Sequence, residues 1–174
     1  MGIRLAKFSD IEAMRVIYNQ AVLVGQKTAD IAPVSFEDRV AWYKAHSLEK
    51  YPIFVEEDEN RVRGYLSISA YRTGRMALRY TAEVSYYIHE DYHRRGIASR
   101  LLKYAIEICP SLEIKSLFAI LLDSNEGSYK LLEKFDFEVW GHLPRIADFD
   151  GMEVGHLYYG LRIAEGSSEC KAGV

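Results

Sequence analysis

"RYTAEVSYYIHEDYHRRGIASRLL", residues 79–102, decides the fold, because its hydrophobic period changes in the middle. The first ten residues alternate, with Ala82, Val84, Tyr86 and Ile88 on one side and Thr81, Glu83, Ser85 and Tyr87 on the other. That alternation, rich in β-branched and aromatic residues, predicts a strand. From Gly96 the period is helical, with Ile97, Leu101, Ala105 and Ile108 on one face and Pro110 ending the run. A strand feeding a helix through a short connection is the place where an α/β protein holds a ligand.

The connection itself has two readings. "HEDYH", residues 89–93, spells His-Glu-x-x-His, in which two histidines one helical turn apart bind zinc and the glutamate activates water. That requires a helix, yet a strand precedes the segment, and Gly96 follows three residues later, where a helix interior loses roughly 1 kcal/mol relative to Ala. Glu107 and Glu113 are the candidates for a third ligand under this reading. The second reading takes "HRRGIA", residues 93–98, as an anion loop: Gly96 permits close backbone approach, Ala98 is small, and the positive end of a helix dipole lies next to Arg94 and Arg95. The surroundings favour this second reading. No Walker sequence and no Gly-x-Gly-x-x-Gly is present, which disfavours nucleoside triphosphatases and Rossmann enzymes.

Upstream, "IRLAKF" reads as a strand, Ser9-Asp10 as a cap, and residues 11–25 as a helix with Ile11, Met14, Ile17, Tyr18 and Ala21 on its apolar face. Ser35 and Asp38 have capping-box spacing before "RVAWYKAH". "YPIFVEE" and "VRGYLSISAY" read as strands joined at Asp58, Glu59 and Asn60. Downstream, "IKSLFAILL" is a buried strand, "NEGSYKLLEKF" a helix, and "FEVWGHL" and "VGHLYYGLRI" strands. Tyr18, Trp42 and Tyr51 are most simply core residues.

The 174 residues suit one domain, placed at 1–163, followed by a polar tail at 164–174 expected to be disordered. With 49% hydrophobic and 13% aromatic residues the chain is globular, and a net charge of −3 gives no global reason for a nucleic-acid or membrane partner. Cys109 and Cys170 are the only cysteines, so neither a disulfide framework nor a four-cysteine metal site is available. The N-terminus lacks the apolar core of a signal peptide and no apolar run spans a bilayer, so a cytoplasmic location is expected.

In combination these motifs resemble the GNAT acetyltransferases, and among them the phosphinothricin N-acetyltransferase group. The family's pyrophosphate loop reads Gln/Arg-x-x-Gly-x-Gly/Ala; "HRRGIA" matches its Gly and Ala and has His93 at the first position. "IRLAKFSDIEAMRVIYNQAV", "PVSFEDRVAWYKAHSLEKYPIFVEE", "RMALRYTAEVSYYI" and "NEGSYKLLEKFDF" are similar to further family segments, so the likeness covers roughly residues 3–140. It implies a GNAT fold, a single mixed twisted sheet of about seven strands flanked by four helices, with acetyl-CoA as co-substrate and no metal.

By the same resemblance, Tyr86, Tyr87 and Ile88 meet the pantetheine arm, while Arg94, Arg95, Gly96, Ile97, Ala98 and Ser99 surround the pyrophosphate. Asn125 and Ser128 contact the cofactor, although Asn125 in this place is equally a helix cap. Glu83 is the general base for the amine, and Thr73, Gly74, Arg75, Val84 and Ser85 meet the substrate, Arg75 as partner of a carboxylate or phosphinate. Relatives commonly form homodimers.

The sequence departs from the family at several points. Leu132 stands where many relatives have Tyr or His, Asp136 where Gly is usual, and Ala29 where relatives often carry Phe. Leu132 has no proton to give the leaving thiolate, and Tyr129 is the nearest candidate acid. The expected function is acetylation of the amino group of a small amino acid or analogue, of the phosphinothricin, methionine sulfone or methionine sulfoximine type. The alternatives are acetylation of a peptide or protein N-terminus, which predicts an open groove, and CoA binding without turnover.

Overall fold

A computed structural model of the protein describes residues 2–163; the expected tail at 164–174 lies outside the described residues. Seven strands form one mixed sheet: β1 (Gly2–Leu5), β2 (Ile53–Asp58), β3 (Arg61–Ala70), β4 (Thr81–Ile88), β5 (Ser116–Leu122), β6 (Glu138–Phe149) and β7 (Met152–Arg162). Their order is β1-β2-β3-β4-β5-β7-β6. The four helices are α1 (Ile11–Val24), α2 (Phe36–Lys44), α3 (Ile97–Ile108) and α4 (Glu126–Glu133).

Strand alternation sends side chains into two cores. Leu66 and Ile68 of β3, with Ala82 and Val84 of β4, pack with Ile97, Leu101 and Leu102 of α3 and Leu132 of α4. Tyr65 of β3 goes the other way, to Ile11, Met14 and Ile17 of α1, with Tyr87 of β4 and Trp42 of α2 against them. The expected faces of the strand at 79–88 are therefore the observed ones, α3 and α4 covering one and α1 and α2 the other.

Among the described strands only β4 and β5 run parallel, and they pair for just three residues, Thr81 with Ser116, Ala82 with Leu117 and Glu83 with Phe118. β4 continues to Ile88 along β3, where Tyr86 opposes Leu66 and Ile88 opposes Gly64. β5 continues to Leu122 along β7. Beyond Glu83 the two strands part, and the sheet is open in its middle.

Two local expectations are corrected. Asp10 does not cap α1 with its side chain: it accepts from the Lys7 backbone N–H at 2.7 Å and pairs with Arg4 at 2.7 Å, ending a short 3-10 turn at Phe8–Asp10. The strand expected at 137–143 runs on to Phe149, because the register shift between Leu143 and Ala147 lets Pro144 sit at an irregularity where no ladder bond is required. Asp150 and Gly151, with φ of 53° and 94°, then make the two-residue hairpin turn into β7.

Candidate active site

The opening between β4 and β5 is a cleft of about 690 Å³. One end is the N-terminus of α3. Arg94 and Gly96 take positive φ values of 59° and 75°, turning the chain into the helix. The first intrahelical bond is Arg100 N–H to the Gly96 carbonyl at 3.1 Å, so the N–H groups of Ile97, Ala98 and Ser99 precede it and have no acceptor within the helix. They stand at the positive end of the helix dipole.

This end is fastened to the sheet. Arg100 donates from Nε and Nη2 to the two oxygens of Glu56 at 2.8 and 2.7 Å, and from Nη1 to the Arg95 carbonyl at 3.0 Å. Glu56 is 1% exposed. One guanidinium thus neutralises a buried β2 carboxylate and fixes the backbone of the connection between β4 and α3.

The far wall is the N-terminal part of α4. Asn125 holds the N-cap position but makes no side-chain cap bond, so its amide is not used by the helix. Ser128 lines the cleft, and its carbonyl accepts from the Tyr86 hydroxyl at 3.4 Å. Burial pushes that hydroxyl up to about 12. Leu132, 1% exposed, contributes an apolar surface to the cleft.

Glu83 lies where pairing of β4 with β5 ends. It lines the cleft and also a second cavity of about 290 Å³, and it shares that double role with Ser85 and Tyr87. Burial alone raises the Glu83 pKa above the ordinary carboxylate value. Across the sheet Ser69 opposes Glu83. His46 donates from Nδ1 to the Trp42 carbonyl at 2.7 Å, which leaves Nε2 to accept from the Ser69 hydroxyl at 3.1 Å. Burial lowers the His46 pKa, consistent with a neutral imidazole in that tautomer.

Among the expected cofactor residues, the structure gathers Tyr86, Tyr87, Ile88, Arg94, Gly96, Ile97, Ala98, Ser99, Asn125 and Ser128 around the cleft. Arg95 is not in its wall; its guanidinium lies over the Tyr92 ring, 5.2 Å from the centroid. Val84 and Ser85 line the cleft, whereas Thr73, Gly74 and Arg75 lie in an exposed turn between β3 and β4 and line neither cavity. Ala29 is part of the cleft wall.

The His-Glu-x-x-His segment is a 3-10 turn at Glu90–Tyr92 with His89 and His93 flanking it, not a turn of α-helix. His93 Nε2 donates to the Ile88 carbonyl at 2.9 Å, and His89 accepts from the Asp91 N–H at 3.3 Å, so both rings are engaged locally. Among the described residues no group of three or more His, Cys, Asp and Glu is placed to hold a metal ion.

The second cavity was not legible in sequence. Tyr18 and Trp42, read as core, form its sides with Arg39 and Tyr65. The only signal for it was the strand alternation that puts Ser67, Ser69, Glu83 and Ser85 on one face between two tyrosines.

A mixed sheet opened between two parallel strands, with a helix N-terminus at the mouth and a desolvated carboxylate at the vertex, defines a GNAT-type transferase. The GNAT acetyltransferase family matches residues 19–137, and the chain belongs to that family. It is 43% identical over 152 residues to a Bacillus subtilis protein named for phosphinothricin acetylation, covering 87% of this chain and 92% of that one. It is 29% identical to the L-amino acid N-acyltransferase of Escherichia coli, over 95% of both chains. A Salmonella typhimurium acetyltransferase structure with its cofactor acetyl-CoA superposes with a TM-score of 0.88 at 29% identity, covering 97% of this chain and 96% of that one.

Proposed function

We propose that the protein transfers the acetyl group of acetyl-CoA to the amino group of a small amino acid or amino-acid analogue, with Glu83 as general base. The observation that carries this is the position of Glu83, in the wall common to the cleft and the second cavity. Relatives named for amino-acid, phosphinothricin and acetyl-CoA chemistry support the substrate classes.

Acetyl-CoA supplies a thioester carbonyl that an amine attacks directly, so the chain needs no nucleophile of its own. The N–H groups of Ile97, Ala98 and Ser99 at the head of α3 hold the pyrophosphate, and the β4 backbone from Tyr86 to Ile88 accompanies the pantetheine arm. The amine of a free amino acid is mostly protonated at neutral pH, and a carboxylate whose pKa is raised by burial is a stronger base for removing that proton than an ordinary surface carboxylate. Glu83 takes that proton directly or through one water. Leu132 has none to return, and the thiolate is protonated from solvent. A homodimer and a cytoplasmic location belong to the same reading; exposed Val139, Leu143 and Ile146 on edge strand β6 support the former.

CoA release should be measured with purified protein against amino acids, methionine sulfone, methionine sulfoximine, phosphinothricin and short peptides, with Glu83→Gln in parallel. Turnover of one amino-acid class, reduced about 100- to 10,000-fold in the variant, is expected. Turnover of peptides alone would replace the substrate class, and activity untouched by Glu83→Gln would remove the base.

A further inference from the structure

The second cavity contains a cation that has no ion pair among the described residues. Arg39, on α2, is 5% exposed. Its guanidinium is sandwiched between two rings, 4.3 Å from the Tyr18 centroid and 4.5 Å from that of Trp42. Among the described residues its Nε is buried without a hydrogen-bond partner, and the buried Tyr65 hydroxyl in the same wall has this guanidinium as a polar neighbour. Unsatisfied buried donors are rare in native proteins, and a buried cation is costly unless something pairs with it.

The three carboxylates facing this cavity do not fill that role. Asp38 is bound to the hydroxyl and backbone N–H of Ser35 at 2.7 and 3.3 Å. Asp30 accepts from the Tyr18 hydroxyl at 2.6 Å. Glu83 makes no ion pair among the described residues and opens to the cleft as well. The stacked guanidinium is therefore oriented by its aromatic neighbours, with donors left for an anion from outside.

We infer that Arg39 holds the α-carboxylate of the amino-acid substrate, in the second cavity, while Glu83 in the shared wall faces the amine. The inference rests on the function proposed above and adds the residue that selects amino acids over simple amines. An amino acid carries its two charged ends two bonds apart, and a cavity of about 290 Å³ adjoining the cleft at Glu83, Ser85 and Tyr87 offers a cation and a carboxylate for them. The loop between α1 and α2 contributes Asp30 and Val34 to the cavity wall. Asp30 is held by Tyr18, and Val34 exchanges backbone bonds of 2.9 and 3.1 Å with the Asn19 amide. Arg75, in its exposed turn, has no comparable enclosure.

The test uses the best amino acid of the panel, its carboxamide and its desamino analogue. With the wild-type protein the acid should exceed the amide in kcat/KM by about 100-fold, the size expected for a charge pair formed out of water. The desamino acid should inhibit competitively against the amine substrate, and the desamino amide should not. Arg39→Met should erase the preference by lowering kcat/KM for the acid alone, and Arg39→Lys, which keeps charge but not the fork, should fall between. Equal losses for acid and amide in a folded variant would overturn the assignment. If Arg39→Met fails to fold, the wild-type pair decides: no discrimination between acid and amide, and no inhibition by the desamino acid, overturns it too. Absence of turnover with every amino acid would instead sink the function beneath it.

Discussion

Replacing Arg100 by Met tests whether the anion loop is held by a single guanidinium. The substitution retains most of the aliphatic stem but removes two bonds to Glu56, at 2.8 and 2.7 Å, and one to the Arg95 carbonyl at 3.0 Å. Glu56, at 1% exposure, would be left as a buried carboxylate without its cation. Breaking a buried pair in this way costs about 3–5 kcal/mol. The Arg100 side chain is 40% exposed, so water reaches the site and the lower end applies, about 3 kcal/mol. For a chain of this size that corresponds to a fall in Tm of roughly 6–12 °C. Urea unfolding at neutral pH without ligand measures it. Adding Glu56→Gln to Arg100→Met removes the stranded charge and should recover about 1–2 kcal/mol. KM for acetyl-CoA should rise in Arg100→Met with kcat little changed, because the loop loses its anchor and Glu83 is untouched. A loss below about 1 kcal/mol, or a double variant as unstable as the single one, would refute the reasoning.

Glu83→Gln should be more stable than the wild type at neutral pH. The Glu83 pKa is raised on folding, so above the ordinary carboxylate value the unfolded chain binds fewer protons than the folded one. Wild-type stability therefore declines as pH rises from that value through the folded pKa, and the variant's advantage, seen in urea midpoints, should vanish in acid. Gly96→Ala should cost about 1–2 kcal/mol for a left-handed residue; its Cβ would also stand 3.2 Å from Arg100 Nη1, so calorimetric affinity for acetyl-CoA should fall with stability. Gly160→Ala should cost about 1–3 kcal/mol by thermal unfolding, since a methyl there would overlap the Trp140 ring.

The sequence was informative where chemistry is local. The Ser35–Asp38 capping box is present, with Asp38 N–H donating to Ser35 Oγ at 3.0 Å, and Gly25 ends α1 at a φ of 77°. The alternation in β4 fixed which side chains face which helices, and the glycine of the anion loop marked the turn into α3. The length of β6 was hidden by Pro144, which reads as a strand breaker until the irregularity that accommodates it is seen; the Asp-Gly turn beyond it was the overlooked signal. Arg39 was invisible for another reason. On a nine-residue helix of mixed composition, periodicity does not distinguish an arginine turned to solvent from one drawn inward between two rings, because only one ring, Trp42, lies on α2 itself and the other, Tyr18, is brought to it by α1.

The three-pair seam between β4 and β5 has a consequence for the protein's lifetime. With acetyl-CoA filling the gap as proposed, the donor is in part a structural member, and the folding equilibrium registers its concentration. At a hundred times its Kd a ligand adds about 2.7 kcal/mol to stability. When the coenzyme, acetylated or free, is scarce that increment is withdrawn, the open form becomes roughly a hundredfold more common, and proteases that act on it gain access. Supply of the coenzyme would thus govern how long each molecule of enzyme survives, while its acetylated fraction sets how fast it turns over.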